Sequence, residues 1–102
     1  MRVLVACEFS GIVRDAFIRR GIDAISCDLL PSESWGGHIQ GDVRDILHNE
    51  YDLMIAHPPC TNLAVSGARW FKYKESAIEE SARFFMELAQ CHIPKICVEN
   101  PI

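Results

Sequence analysis

The chain has 102 residues, of which 49% are hydrophobic and 24% are charged. This balance is typical of a globular protein and excludes a disordered tail, and the length predicts a single domain over residues 1–102. The formal net charge of -4 excludes a general positive field for a nucleic-acid backbone. Five cysteines without a Cys-x-x-Cys pair exclude a disulfide framework and a zinc knuckle.

The first half of the chain predicts two strands separated by a helix. Val3–Ala6 is a continuous apolar run, as in a buried parallel strand. Ser10 is a suitable N-cap for a helix that ends before Gly21. A second strand covers Ala24–Cys27 and ends on the acid Asp28. The first run is far shorter than a membrane span and is followed by no signal-peptide cleavage pattern, so we expect a cytoplasmic protein that does not enter a membrane.

The second half continues the alternation. The predicted elements are a third strand (38–41), a short helix after Asp42 that includes residues 43–47, a fourth strand (53–56), a loop to residue 70, a long helix from near Glu75, and a fifth strand (96–98). Basic and aromatic residues at 69–74 could touch DNA, but packing of this loop onto the helix is favoured. Strands that alternate with helices predict an α/β fold with an open, doubly wound, mainly parallel sheet.

Polar residues follow the predicted strands, where such sheets bind ligands. Asp28 lies 20 residues beyond Glu8, a spacing at which an acid can reach the ribose of a nucleoside held by the turn of residues 8–11. The turn has one glycine, which favours S-adenosylmethionine over a dinucleotide. A plain turn with a surface acid is the alternative. Asp42 could accept a hydrogen bond from an adenine amino group or simply cap a helix.

The motif Pro58-Pro59-Cys60 presents a thiol on a rigid loop after the fourth strand. A thiolate that adds to carbon 6 of cytosine makes carbon 5 nucleophilic toward a sulfonium methyl group, and a protonated carboxyl at ring nitrogen 3 assists. Glu99, after the fifth strand, is the candidate acid, since burial there would favour its protonated form. The alternatives are a buried loop thiol and a surface acid. Cys27, Cys91 and Cys97 are expected to be buried hydrophobes.

These residues resemble the motifs of the cytosine-5 DNA methyltransferases, in particular short phage-type members. The similarity covers the chain in order: Phe9-x-Gly11 resembles the cofactor turn, Asp28 the second-strand acid, Gly41-Asp42 the third motif, Pro58-Pro59-Cys60 the nucleophile loop and Glu99-Asn100 the Glu-Asn motif. The departures are Val13, Thr61 and Pro101 where the family has glycine, glutamine and valine. Ser66-Gly67 falls where the family's nucleophile loop has a similar pair.

The resemblance implies a Rossmann-like S-adenosylmethionine-dependent methyltransferase fold, truncated after the fifth strand, in a bacterial or phage-infected cell. It implies that Phe9, Gly11, Asp28 and Asp42 bind the cofactor, that Cys60 attacks cytosine in DNA, and that Glu99 contacts the ring. The remaining residues expected in the cofactor site flank these positions: Glu8, Ser10, Leu29 and Pro58.

Family motifs that follow Glu-Asn, including the target-recognition domain, have no counterpart here. We therefore expect little or no activity from the chain alone, and a second chain or self-association at the open sheet edge. The alternatives are a non-catalytic binding module that acts through a protein partner, an amino-methyltransferase relative, and a folate-dependent enzyme of free pyrimidine nucleotides. The scattered histidines predict no metal site; His57 could tune the thiol.

Overall fold

A computed structural model describes residues 1–58 and 71–99, with side chains for 1–58 and 79–99. In this part of the chain the strands are β1 (Arg2–Ala6), β2 (Asp23–Asp28), β3 (His38–Gln40), β4 (Leu53–Ala56) and β5 (Lys95–Val98). The helices are α1 (Ile12–Arg19) and α2 (Phe71–Ala89), and a single 3₁₀ turn covers Val43–Asp45. The predicted loop of residues 57–70 falls mostly outside the described residues.

The described strands form one parallel sheet in the order β3-β2-β1-β4-β5. From β1 the chain runs outward through β2 to β3, then returns to the other side of β1 for β4 and β5. The strand order therefore reverses between β1 and β4, which is where open α/β sheets bind ligands. The predicted α/β class with a Rossmann-like parallel sheet is confirmed.

Each face of the sheet carries its own apolar cluster. Val3 and Val5 point to one face, where they pack with Val13 and Phe17 of α1. Leu4 and Met54 belong to the other face, in a cluster that includes Leu88 of α2. The alternation of side chains along β1 thus places one helix on each face, as the doubly wound prediction requires.

A buried arginine fixes the connection between β2 and β3. Arg14 of α1 is completely buried, and its guanidinium donates to the hydroxyls of Ser26 and Ser32 and to the carbonyls of Ser34, Trp35 and Gly37. It also pairs with Asp15 at 2.9 Å. Because the backbone N–H of Glu33 donates to the carbonyl of Phe9 at 2.7 Å, the same loop is tied to the turn after β1.

Several local predictions are wrong in instructive ways. The N-cap of α1 is Gly11, in the left-handed conformation with φ 79, and not Ser10. The helix α2 begins at Phe71, four residues before the predicted start, because residues 71–74 contain no helix breaker although the apolar periodicity begins later. The short helix after Asp42 is only a 3₁₀ turn. Cys97 is exposed and not buried, and it lies on the last strand in the order of the described sheet.

Candidate functional site

The carboxyl ends of the parallel strands border a cavity of about 620 Å³. Four of the predicted cofactor residues line it: Phe9 after β1, Asp28 and Leu29 after β2, and Asp42 after β3. Gly41 of the Gly-Asp motif and His57, considered as a residue that tunes the thiol, also line it. The sequence did not predict the other lining residues, namely Cys7, Cys27, Leu30, Val43, Arg44, Glu80, Ser81 and Phe84. The cavity is large enough for a nucleoside-sized ligand.

A second cleft of about 320 Å³ adjoins the first and shares Cys7, Phe9 and His57 with it. Predicted cofactor residues Glu8 and Ser10 line this cleft. Gly11 lines neither cavity; its positive φ and its closeness to Arg14 give it a backbone role. The predicted residues of the first turn are therefore divided between two neighbouring cavities and the helix start.

Glu8 closes the amino end of α1. Its side chain is buried, and its two carboxylate oxygens accept hydrogen bonds from the backbone N–H groups of Val13 at 3.0 Å and Arg14 at 3.2 Å. These N–H groups carry the partial positive charge on which phosphate groups usually bind in this fold. Because a carboxylate already occupies that position, a pyrophosphate would meet a like charge there.

Asp28 stands at the end of β2 with part of its carboxylate free for a ligand. Oδ1 accepts the backbone N–H of Leu30 at 2.8 Å, a local turn that fixes the side chain. Oδ2 has no hydrogen-bond partner among the described residues. The acid is thus oriented at the cavity wall, as contact with a ribose hydroxyl pair requires.

Asp42 is placed both to cap the 3₁₀ turn and to contact a ligand in the cavity. Its Oδ1 accepts the backbone N–H of Arg44 at 2.9 Å, which makes it the cap of the 3₁₀ turn. It also lines the cavity, where hydrogen bonds from the Arg44 side chain lower its pKa below the usual value. A cap and a ligand contact are therefore compatible at this position.

Cys7 marks local backbone strain beside the cavity. It is the one non-glycine residue in the described part of the chain with a positive φ, at 60, a conformation that costs about 1 kcal/mol or more. Burial and the charge of Asp28 raise the pKa of its thiol to about 12, and the same two causes raise that of Cys27 to about 11. Both thiols are therefore protonated at neutral pH and unsuited to nucleophilic attack.

His57 and Glu99 pair across the ends of β4 and β5. The His57 Nδ1 atom lies 3.0 Å from Oε2 of Glu99, whose side chain is 63% exposed. The described residues therefore do not supply the burial that we expected to favour a protonated Glu99. The Nε2 atom of His57 is buried and has no hydrogen-bond partner among the described residues. Pro58 is also buried, and Cys60 lies outside the described residues.

No protein-family model, curated protein or solved structure matches this chain. The site is therefore interpreted from its own chemistry. Within the described side chains, no three residues of the types His, Cys, Asp or Glu are grouped to hold a metal ion. No described helix is both long enough and apolar enough to cross a membrane.

The charges around the cavity are mainly negative. Asp28, Asp42 and Glu80 line it with a single guanidinium, that of Arg44, among its described lining residues. Carboxylates accept hydrogen bonds from hydroxyl and amino groups and attract cations. Of the ligands weighed from the sequence, a cationic nucleoside therefore fits this lining better than a phosphorylated one.

Proposed function

We propose that this chain is an S-adenosylmethionine-binding module of a cytosine-5 DNA methyltransferase, with Cys60 as its nucleophile. The observation that carries the proposal is the cavity at the strand ends. It brings together Phe9, Asp28 and Asp42, which are separated in sequence, beside His57. Pro58 and the nucleophile loop follow His57 directly.

The roles of the cavity residues follow from their chemistry. The Asp28 carboxylate accepts hydrogen bonds from the two ribose hydroxyls, and Asp42 accepts one from the adenine amino group. Phe9, whose side chain is partly exposed at the cavity, packs against the base. Bound S-adenosylmethionine supplies a sulfonium methyl group that an electron-rich carbon can take.

The charge at the start of α1 supports this ligand over a dinucleotide. Glu8 occupies the N–H groups that would otherwise hold a pyrophosphate. Three further carboxylates of the cavity repel phosphate but attract a sulfonium. Both observations agree with the single glycine of the turn.

The chemical step depends on Cys60 and Glu99. The Cys60 thiolate forms a bond to carbon 6 of cytosine. Glu99, which the bound base would cover, donates in its protonated form a hydrogen bond or proton to ring nitrogen 3 as negative charge develops. Carbon 5 then takes the methyl group. Water or another base then takes the carbon 5 proton, and the electron pair of that bond expels the thiolate. Ring nitrogen 3 returns any proton that it received to Glu99, which restores the ring. His57 orients Glu99 through their contact at 3.0 Å.

Calorimetric titration with S-adenosylmethionine tests the cofactor part. Asp28→Ala should weaken binding at least about tenfold, since the variant loses hydrogen bonds to a charged group. Asp23→Ala is the matched control, because Asp23 is exposed at the opposite end of the same strand. Equal affinities for the unmodified chain and both variants would refute the assignment of Asp28, and no binding at all would refute the cofactor.

Trapping with DNA that contains 5-fluorocytosine tests the nucleophile. The fluorine cannot leave as a proton does, so the covalent intermediate should accumulate when the cofactor is present. In the presence of a second chain that supplies the family motifs that follow Glu-Asn, we expect an adduct with the unmodified chain and with Cys97→Ser, and none with Cys60→Ser. No adduct with the unmodified chain even then would refute the catalytic part of the proposal. An adduct that survives Cys60→Ser would refute the role of Cys60.

A non-catalytic binding module that acts through a protein partner is the second candidate. It is favoured by the edge strand β5, which pairs only with β4 among the described strands and presents Lys95 and Cys97 exposed. Unpaired strand edges readily accept another chain. Cofactor binding without any adduct, together with association through this edge in solution, would favour this candidate.

A further inference from the structure

Arg44 holds the Asp42 carboxylate in one orientation. Its Nε lies 3.1 Å from each carboxylate oxygen, and its Nη2 donates to Oδ2 at 2.7 Å. The backbone N–H of Arg44 adds a further bond to Oδ1 at 2.9 Å. Three donors thus make four contacts, two with each oxygen, and because the single Nε–H is divided between both oxygens, an incoming donor can still share one of them. A fork of this kind fixes the plane of the carboxylate as well as its distance.

The other end of the same guanidinium reaches across the cavity wall to α2. Its Nη1 lies 3.4 Å from Glu80 and 3.8 Å from Glu87, and the guanidinium carbon stands 5.2 Å from the centroid of the Phe84 ring. The Arg44 side chain is 39% exposed, yet it is held from both sides. It therefore cannot turn away from Asp42 without giving up these contacts as well.

We propose that Arg44 is the positioning residue that makes Asp42 select a purine with an amino group at ring position 6. This inference rests on the proposed function. Adenine carries a donor at that position, whereas hypoxanthine carries a carbonyl, which is an acceptor. A carboxylate that is fixed and ionised can accept but cannot donate. A keto purine would leave two acceptors facing each other, while Asp42 without Arg44 could rotate away from the base and lose its selectivity.

Paired titrations test this role. The probes are S-adenosylhomocysteine and S-inosylhomocysteine, which differ at position 6 of the base. The unmodified chain should prefer the adenosyl ligand by roughly tenfold or more. In Arg44→Gln and Arg44→Lys the preference should fall to about twofold or less, because neither side chain offers the guanidinium fork.

The matched control is Arg83→Gln. Arg83 lies on the same helix that Arg44 contacts and pairs with Glu80 at 3.0 Å, but it does not line the cavity. This variant should keep the preference of the unmodified chain. Measuring the Lys variant beside the Gln variant separates loss of the fork from loss of the charge.

Failure of the role of Arg44 and failure of the proposed function give different results in these titrations. If the Arg44 variants weaken both ligands equally and keep their ratio, Arg44 has only a structural role and the inference is refuted. If the unmodified chain binds neither ligand, the proposed function fails and the inference fails with it. A ratio that falls in both Arg44 variants but not in Arg83→Gln supports the inference.

Discussion

Two arginines, Arg14 and Arg44, organise two different regions of this molecule. Arg14 is fully buried and donates mainly to neutral hydroxyl and carbonyl oxygens of residues 26–37. Arg44 is 39% exposed, lines the cavity and contacts three carboxylates. Burial and partner type therefore separate an arginine that stabilises the fold from one that lines a cavity.

The largest expected effect is that of Arg14→Leu. The variant removes the buried guanidinium's hydrogen bonds to two hydroxyls and three carbonyls and its ion pair with Asp15. We therefore expect the free energy of unfolding to fall by about 3–5 kcal/mol. Arg44→Leu is the matched change and should cost about 1 kcal/mol or less, since exposed ion pairs contribute little. Urea denaturation of the three proteins measures both effects. Equal losses would remove the distinction between the two arginines.

Two glycines differ in how closely they approach Arg14. A Cβ at Gly11 would lie 2.6 Å from Nη2 of Arg14, whereas a Cβ at Gly21 would meet nothing within 4 Å. Both glycines have a positive φ, 79 and 77. We therefore expect Gly21→Ala to lower the free energy of unfolding by about 1–2 kcal/mol through backbone strain alone. Gly11→Ala should lower it by about 1–3 kcal/mol more, because its Cβ also meets Arg14. Similar thermal denaturation midpoints would contradict the close approach.

Acid titration compares the carboxylates that the two arginines hold. The pKa of Asp15 lies below its ordinary 3.8, mainly because Ser34 donates a hydrogen bond to it and secondly because of the Arg14 guanidinium. The pKa of Asp42 lies below the same ordinary value because of hydrogen bonds from Arg44. A lowered folded-state pKa means that the ionised group stabilises the fold. This contribution is complete above about pH 5 and is lost as the pH falls through the lower folded value.

The expected result is that Asp15→Asn and Asp42→Asn flatten the acid side of the stability profile. This flattening is expected because each variant lacks one carboxylate that takes up a proton on unfolding. Thermal melts between about pH 6 and about pH 3 measure it. The exposed pair at Asp42 should also lose its contribution in about 1 M salt. A profile unchanged by either variant would show that these carboxylates do not contribute to acid sensitivity.

The smallest expected effect is that of Glu80→Gln. Glu80 meets Arg44 at 3.4 Å on an exposed surface, so the variant should change the free energy of unfolding by about 0.5 kcal/mol or less. Urea midpoints at low and high salt measure it. A loss near that of Arg14→Leu would mean that the Arg44 region belongs to the folded framework after all.

The sequence predicted the sheet well because strands buried on both faces must be apolar throughout. Leu53–Ala56 was predicted to the residue, and β1 within one residue at its start. The start of α2 was misplaced because residues before Glu75 lack apolar periodicity while still permitting a helix. Periodicity reports which face of a helix is buried, and a helix extends as far as its backbone allows.

The two aspartates of the site were predicted from the sequence, whereas its arginine was not. Acids that follow strands, such as Asp28 and Asp42, are visible in a sequence because the topology of the fold assigns them to one edge. Arg14 and Arg44 were missed because a helical or turn arginine is expected to face solvent. Their partners lie up to 23 and 43 residues away in the sequence, and only the packed structure shows these contacts.

The carboxylate of Glu8 at the start of α1 also decides which molecules could compete for the cavity. Cells contain adenosine triphosphate. In the proposed binding mode, its adenosine could form the same hydrogen bonds with Asp28 and Asp42 as the adenosine of a sulfonium ligand. Its phosphates, however, would be directed at the amino end of α1, where the Glu8 carboxylate already accepts the backbone N–H groups. Under the proposed function, the Glu8 carboxylate thus selects against nucleotides by occupying the position that their phosphates would take.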